Sequence, residues 1–296
     1  MAQKNVFLTL LLMASMSTLV SAQSNSWIQR ADFPGEARLY PFSCSVAEKG
    51  YIMCGGNGTS GTNEFADVWE YDQVTNTWTP KADFAGGPRV SPSGFVINGK
   101  VYVGGGQHNL SLTSAFWRFD PVDNAWQPIA SCPGQPKYDA TGFAVNGKGY
   151  ICCGSTGSAP YTTELYEYDP SNNTWTQKTS LPGAGRSAAR AFVSHGKAYV
   201  IGGWVNPTCS DEVWEYDPTL DTWAEKNSFS AGGRMGGEAF NIYDQGYYGC
   251  GYIDGVHQND FWEYNALSDT WAQRASYGGP SHRGGGGFAI GGYGYI

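Results

Sequence analysis

The segment VWEYDQVTNTW at residues 68–78 returns four more times, always with an aromatic residue seven positions before a tryptophan. The later copies are FWRFDPVDNAW at 116–126, LYEYDPSNNTW at 165–175, VWEYDPTLDTW at 213–223 and FWEYNALSDTW at 261–271. Counting from Trp27, the tryptophans that define the repeat are spaced 51, 48, 49, 48 and 48 residues apart. A period of about 50 residues indicates a repeat architecture, in which each unit is one supersecondary element stacked on its neighbours.

Each period predicts four short strands. The centre of the repeated segment is rich in Asp, Pro and Asn, which favour turns. Further upstream, pairs such as Asn98-Gly99 and Asn146-Gly147 suit two-residue hairpins. An apolar run then ends in a pair of small residues: Gly55-Gly56, Gly105-Gly106, Cys153-Gly154, Gly202-Gly203 and Cys250-Gly251. No stretch after residue 22 has a helical period of useful length, so an all-β fold is expected.

On the small pairs, the Tyr-to-Trp spacing and the VWEYD strand, the chain resembles the kelch family of β-propellers from Trp27 to Ile296. The resemblance implies a kelch-type β-propeller with five complete four-stranded blades and a composite, incomplete sixth blade. That sixth blade would combine an outer strand at Trp27–Arg30 with a first strand at 287–290 and the start of a second at 293–296. Its third strand has no counterpart, which predicts a sequence truncated in the sixth blade of a six- or seven-bladed parent.

The first 22 residues predict a secretory signal peptide, and residues 23–296 predict a single propeller domain. Lys4 gives a basic start, residues 6–20 are mostly apolar, and Val20-Ser21-Ala22 resembles a cleavage site. The apolar run is short for a membrane span, although a retained anchor is an alternative. The expected protein is a monomer that is secreted, periplasmic or on the cell surface, with no membrane span in the mature chain.

Composition excludes some classes of partner and site. The chain has 18 Lys and Arg against 26 Asp and Glu, a net charge of −8, which does not suit a nucleic-acid-binding protein. The seven cysteines predict neither a disulfide framework nor a metal site, because there is no CxxC pair and four of them, Cys54, Cys152, Cys153 and Cys250, lie at or beside the small pairs of different repeats. One bridge is left open, between Cys44 and Cys54, which are placed symmetrically about a predicted turn near Lys49.

Opposite charges recur at a fixed distance in four of the five copies. In each of these a glutamate is followed eleven residues later by a base, whereas the copy at 116–126 has Arg118 followed by Ile129. The four pairs are Glu70–Lys81, Glu167–Lys178, Glu215–Lys226 and Glu263–Arg274. Because opposite charges on neighbouring strands attract, the pattern predicts cross-strand ion pairs in four blades and none in the other.

A base also recurs sixteen residues before the first member of four small pairs and seventeen residues before Gly55, and one further base continues the series. The set is Arg38, Arg89, Lys137, Arg186, Arg234 and Arg283. Around a common channel mouth these side chains would favour an anionic ligand, either an acidic peptide or an acidic sugar. The alternative is that they are kelch consensus residues, which bond to loop carbonyls within each blade.

Two aromatic residues follow small pairs where other repeats have a small polar residue. Trp204 and Tyr252 stand in positions that are Asn57, Gln107 and Ser155 elsewhere. An exposed aromatic at a channel rim would stack on a sugar or anchor a peptide, and packing between blades is the alternative. Because propeller function concentrates in loops, the ligand-binding candidates are these two residues and the six bases, with no catalytic residue and no metal ligand.

An enzymatic function is the alternative hypothesis. The galactose-oxidase-like propellers share this resemblance, but copper held by two histidines and two tyrosines needs ligands that converge on one point. The four histidines here, His108, His195, His257 and His282, lie on separate predicted turns and loops. A second enzyme type, similar to sialic acid mutarotases, would use the bases for binding and Glu238 for acid–base chemistry.

The sequence therefore predicts an exported, non-catalytic kelch propeller that binds a protein or a glycan through its loops. The ligand is expected to be anionic if the bases form a ring. No cofactor and no nucleic-acid partner are expected, and the identity of the ligand does not follow from the residues.

Overall fold

The computed structural model describes residues 25–57 and 63–296, and the predicted signal peptide at 1–22 lies outside the described residues. These residues contain strands and no helix. Blade 1 contains β1 (Phe42–Val46), β2 (Lys49–Met53), β5 (Val68–Asp72) and β6 (Thr77–Lys81), with a small hairpin of β3 (Gly56–Asn57) and β4 (Asn63–Glu64). Blade 2 contains β7 (Ser93–Ile97), β8 (Lys100–Gly104), β11 (Phe116–Asp120) and β12 (Ala125–Ile129), with β9 (Gln107–His108) and β10 (Ser111–Leu112).

The next three blades repeat the pattern. Blade 3 contains β13 (Thr141–Val145), β14 (Lys148–Cys152), β15 (Leu165–Asp169) and β16 (Thr174–Lys178). Blade 4 contains β17 (Arg190–Ser194), β18 (Lys197–Ile201), β19 (Val213–Asp217) and β20 (Thr222–Lys226). Blade 5 contains β21 (Glu238–Ile242), β22 (Gln245–Gly249), β25 (Phe261–Asn265) and β26 (Thr270–Arg274), with β23 (Tyr252–Ile253) and β24 (Val256–His257). A last hairpin pairs β27 (Phe288–Ile290) with β28 (Tyr293–Tyr295).

Each blade is an antiparallel sheet whose strands pair in chain order. The Asn98-Gly99 hairpin between β7 and β8 has positive φ at both turn residues, 49° and 73°, as a type I′ turn requires. Aromatic residues of one blade pack against the next blade, as Phe143 and Tyr150 of blade 3 do with Tyr216 of blade 4. The core therefore lies between the blades.

Tryptophan side chains link the outer strands of successive blades. Each of these indole N–H groups donates to a backbone carbonyl that lies four residues after the tryptophan of the preceding repeat. The six bonds are Trp27–Ala275 (2.8 Å), Trp78–Ala31 (3.2 Å), Trp126–Ala82 (3.0 Å), Trp175–Ala130 (2.8 Å), Trp223–Thr179 (2.8 Å) and Trp271–Asn227 (3.5 Å). Because the Trp27 bond reaches blade 5, the series closes on itself.

A second closed series runs around the axis. Six backbone N–H groups, one from each repeat, donate to the carbonyl of the equivalent residue in the preceding repeat. The bonds run Ser91–Tyr40, Asp139–Ser91, Ala188–Asp139, Gly236–Ala188, Gly284–Gly236 and Tyr40–Gly284. All six residues have φ between 52° and 62°. We call this set the inner ring.

The prediction of five complete blades is confirmed, and that of a composite sixth blade is not. The β27–β28 hairpin lies between blades 5 and 1, since β27 packs beside both β21 and β1. Residues 27–30 form no strand, so the hairpin has no outer strand in the described part of the chain. Trp27 nevertheless makes the tryptophan bond of its repeat.

The four predicted cross-strand ion pairs are present. The separations are 3.1 Å for Lys81–Glu70, 4.0 Å for Lys178–Glu167, 3.8 Å for Lys226–Glu215 and 2.7 Å for Arg274–Glu263. Arg118 instead hydrogen-bonds to Gln127. Each of the four glutamates also accepts a tyrosine hydroxyl from the second strand of its blade, a contact that the sequence analysis missed: Tyr51, Tyr150, Tyr199 and Tyr247.

The open question of a Cys44–Cys54 bridge is resolved against it. Cys44 lies opposite Tyr51 in the β1–β2 register, and both thiols are free. The hairpin turns at Ala47 and Glu48, earlier than the turn that the sequence suggested. The symmetry on which the bridge depended is therefore absent.

Candidate functional site

The loops that follow the small pairs and the connections between blades meet on one side of the propeller. Isolated bridges join them: Leu39 to Gly56, Val90 to Gln107, Tyr138 to Ser155, Ser187 to Trp204 and Met235 to Tyr252. We call this side the loop face. Two-stranded hairpins project from it in blades 1, 2 and 5, whereas the loop of blade 4 is closed by the single Trp204–Cys209 bridge and blade 3 forms no such hairpin among the described residues.

Five of the six recurring bases are buried beneath the loop face. The side chains of Arg186 and Arg234 are 0% and 1% exposed. Four of the bases donate to the carbonyl sixteen residues further along: Arg38 to Cys54 (2.9 Å), Arg89 to Gly105 (3.1 Å), Arg186 to Gly202 (3.2 Å) and Arg234 to Cys250 (3.0 Å). The bases thus hold the loop that leaves the small pair.

Acidic residues just before the third strand pair with four of the bases. They join Arg38 to Asp67, Lys137 to Glu164, Arg186 to Glu212 and Arg234 to Asp260. Burial would raise the pKa of Asp260, but the hydrogen bonds and the charge of Arg234 hold that pKa below its usual value. These contacts favour the structural alternative for the four bases, and their role in binding a ligand stays a prediction.

Arg89 lacks an acidic partner, because Ala115 stands where the other blades have Asp or Glu. Its guanidinium donates to the carbonyls of Gly86 and Gly105. Its Nε is buried without a hydrogen-bond partner among the described residues, and desolvation lowers the pKa of the side chain. Arg89 is therefore the least satisfied member of the series.

Arg283, Trp204 and Tyr252 come together on the loop face. The Arg283 guanidinium lies over the Tyr252 ring at 4.5 Å, and the ring also contacts His257 at 5.3 Å. Trp204 is part-exposed on the neighbouring blade, whose Cys209 thiol lies 3.6 Å from the carbonyl of Tyr252. The two predicted aromatic residues are thus on adjacent loops, beside Arg283, which like Arg89 forms no ion pair with an acid among the described residues.

A cavity of about 120 Å³ occupies the channel next to the inner ring. Tyr40, Asp139, Arg190 and Glu238 contribute the ionisable side chains to its wall. Burial raises the pKa of Glu238 to about 7, against smaller opposing effects of Arg190 and the Gly285 backbone. Burial likewise raises the pKa of Asp139.

Sequence reasoning included Glu238 only for an enzymatic alternative, and it missed Asp139 and Arg190. A signal was present, because the first residue of the first strand is Ser93 in blade 2 and Thr141 in blade 3 but charged in the next two blades. The described residues contain no group of three or more His, Cys, Asp or Glu side chains placed to hold a metal. The expected absence of a metal stays a prediction. No helix long and apolar enough to cross a membrane is found among the described residues.

Comparisons with known proteins agree with this architecture. Residues 97–292 match the family model described as the KLHDC2/KLHL20/DRC7 Kelch-repeats domain. A solved structure titled "Structure of YjhT" is similar with a TM-score of 0.72 and 18% identity, over 86% of this chain and 88% of that chain. At that identity the likeness shows the fold alone. No curated protein matches the chain.

Proposed function

Because the chain belongs to the kelch-repeat family of β-propellers, we propose that it is a non-catalytic binding module that holds a protein or a glycan on its loop face. Kelch propellers commonly bind proteins. The predicted signal peptide supports action outside the cytoplasm, and a secreted product that begins at Gln23 on N-terminal sequencing is the expected check.

The observation that carries the proposal is the contrast between a uniform scaffold and varied loops. The inner ring and the tryptophan bonds recur in every repeat, whereas the loops differ in their hairpins and in the residue after the small pair. A scaffold that keeps its contacts while its loops change is suited to recognition.

The region around Tyr252 is the best-supported contact surface on this face. Trp204 and Tyr252 are both part-exposed, and aromatic side chains with a polar tip contribute strongly to interfaces. Arg283 adds a positive charge in direct contact with the Tyr252 ring. This combination suits a sugar ring or an aromatic-rich peptide that carries a negative charge.

A glycan and peptide array tests the proposal. The double variant Trp204→Ala, Tyr252→Ala should lose about tenfold or more in affinity for the ligand of the wild type, because two anchoring side chains are removed. The matched control is Leu220→Ala, an exposed residue in the turn between β19 and β20 on the opposite face, which should bind normally. Equal binding by wild type and double variant, with unchanged melting temperatures, would overturn the assignment to this surface.

A further inference from the structure

The first residue of the first strand lines the channel, and it is neutral in blades 2 and 3 but charged in blades 4 and 5. The first residue of the first strand is Ser93 in blade 2 and Thr141 in blade 3, and both hydroxyls donate to a carbonyl of the next blade at 2.9 Å. At the same position blades 4 and 5 have Arg190 and Glu238. Both line the cavity of about 120 Å³.

Each charged group keeps hydrogen-bonding capacity that the described residues do not use. Glu238 is 3% exposed, and its Oε1 has no hydrogen-bond partner in the described part of the chain. Within the same residues Arg190 makes one side-chain hydrogen bond, from Nη1 to the Ala189 carbonyl at 3.1 Å. It forms no ion pair there with Glu238 or Asp139. A buried polar atom without a partner is costly, so Glu238 favours a polar occupant of the cavity, and the part-exposed Arg190 has donors left for one.

The chemistry of the two groups defines that occupant. A guanidinium offers parallel N–H donors that match the two oxygens of a carboxylate. A protonated Glu238 would donate to one of the same oxygens. The cavity has room for about four waters at ~30 Å³ each, which corresponds to an acid with about two to four carbon atoms.

We propose that the channel binds a small free carboxylate between Arg190 and Glu238, in a site separate from the loop face. The side chains around Glu238 set the charge balance. Those that act on it or lie beside it are Arg190, Asp139, Arg283, Tyr40, Tyr248, Cys250 and His282. The two arginines offset the acidic residues, so a bound anion is favoured when Glu238 is protonated.

The pH dependence follows from this protonation. Burial raises the pKa of Glu238 to about 7, whereas a small carboxylic acid stays ionised well below that pH. Because the complex retains the Glu238 proton, binding should be fully present at pH 5.5 to 6 and weaken above about pH 7. The expected loss approaches tenfold per pH unit on the alkaline side.

Isothermal titration of the whole protein with lactate at about pH 6 and about pH 8 tests the site. Wild type should bind lactate saturably at pH 6 and more weakly at pH 8. Arg190→Met should lose at least tenfold in affinity, with Arg190→Lys between the two. Glu238→Gln should bind at both pH values with little difference, because the amide keeps a donor but does not titrate.

Ligand controls keep the test independent of how the variants fold. Lactamide lacks the negative charge and should not bind to wild type, whereas glucuronate and a tripeptide carry a carboxylate but exceed the cavity. Saturable binding of lactamide equal to that of lactate would overturn the charge assignment. Stronger binding of glucuronate or the tripeptide would overturn the free small acid as the ligand. Absence of lactate binding at pH 6 would overturn the site itself.

Discussion

Arg89 shows how one substitution alters a repeated contact. In blade 5 the equivalent Arg234 bonds to both oxygens of Asp260, at 2.7 and 3.0 Å, and the Trp262 indole donates to the same carboxylate. In blade 2 the acid is replaced by Ala115, so Arg89 is left with carbonyl partners alone. The positive charge is buried without a counter-ion, which is unfavourable.

Ala115→Asp should therefore stabilise the protein. The new carboxylate would face Arg89 and Trp117 as Asp260 faces Arg234 and Trp262, and restoring a repeat consensus commonly adds about 0.5–2 kcal/mol. Chemical denaturation at pH 7 measures the gain. Ala115→Asn is the control, since it adds a similar side chain without charge and should give less. A lower stability for Ala115→Asp than for Ala115→Asn would contradict the role assigned to the missing acid.

The same residues show what could be predicted from sequence. The Glu–base pairs are always eleven residues apart because they span one hairpin. The acids that pair with the buried bases lie 29, 27, 26 and 26 residues downstream, since the intervening loops differ. A fixed spacing is visible in a repeat alignment and a variable one is not. The bases were therefore found and their partners were missed.

At the scale of the strand, the outer hairpin of blade 2 departs from the others. Arg118 and Ile129 take the positions of the glutamate and the base, and Arg118 bonds to Gln127. The Tyr102 hydroxyl that would meet a glutamate lies beside Arg118 instead. The paired change in both strands indicates that the two positions interact directly.

The double variant Arg118→Glu, Ile129→Lys should reproduce the ion pair of the other blades. A double-mutant cycle compares its stability with that of the two single variants, and we expect a favourable coupling of about 0.3–1 kcal/mol. The coupling should fall in 1 M salt because part-exposed charges are screened. Zero coupling at low salt would show that the two positions are independent.

At the scale of the whole molecule, the inner ring closes between Gly284 and Tyr40. A Cβ added to Gly284 would lie 2.6 Å from the Tyr40 ring, and Gly284 has φ of 62°. Gly236 has almost the same φ, 61°, but a Cβ there would meet nothing nearer than 3.4 Å. Comparing substitutions at the two glycines therefore separates the cost of the positive φ from the cost of a clash with the Tyr40 ring.

Gly284→Ala should destabilise the propeller by about 1–3 kcal/mol more than Gly236→Ala, because only the first forces Tyr40 to move. Thermal unfolding followed by circular dichroism compares the two variants. The double change Gly284→Ala, Tyr40→Ala removes the clash and should recover part of the loss. Equal melting temperatures for the two single variants would argue against tight packing at the closure.

The number of complete blades was predictable from the tryptophan period, whereas the closure and the channel site were not. Closure depends on backbone bonds from residues as different as Tyr40, Ala188 and Gly284, which share a conformation and no side-chain signal. The channel site depends on which side chains face the axis at one level. Which residues of different blades lie at the same height along the axis follows only from the circular arrangement of the blades.

The bond from Trp27 to Ala275 joins residues 248 positions apart, while the bond from Trp223 to Thr179 joins residues 44 apart. Loop-closure entropy grows only with the logarithm of the loop length, so the longer loop costs about 1.5 kcal/mol more than the shorter one. That difference is comparable to one or two hydrogen bonds. The blades can thus form locally and in any order, and the contact that closes the propeller can form last at a small additional cost in conformational entropy.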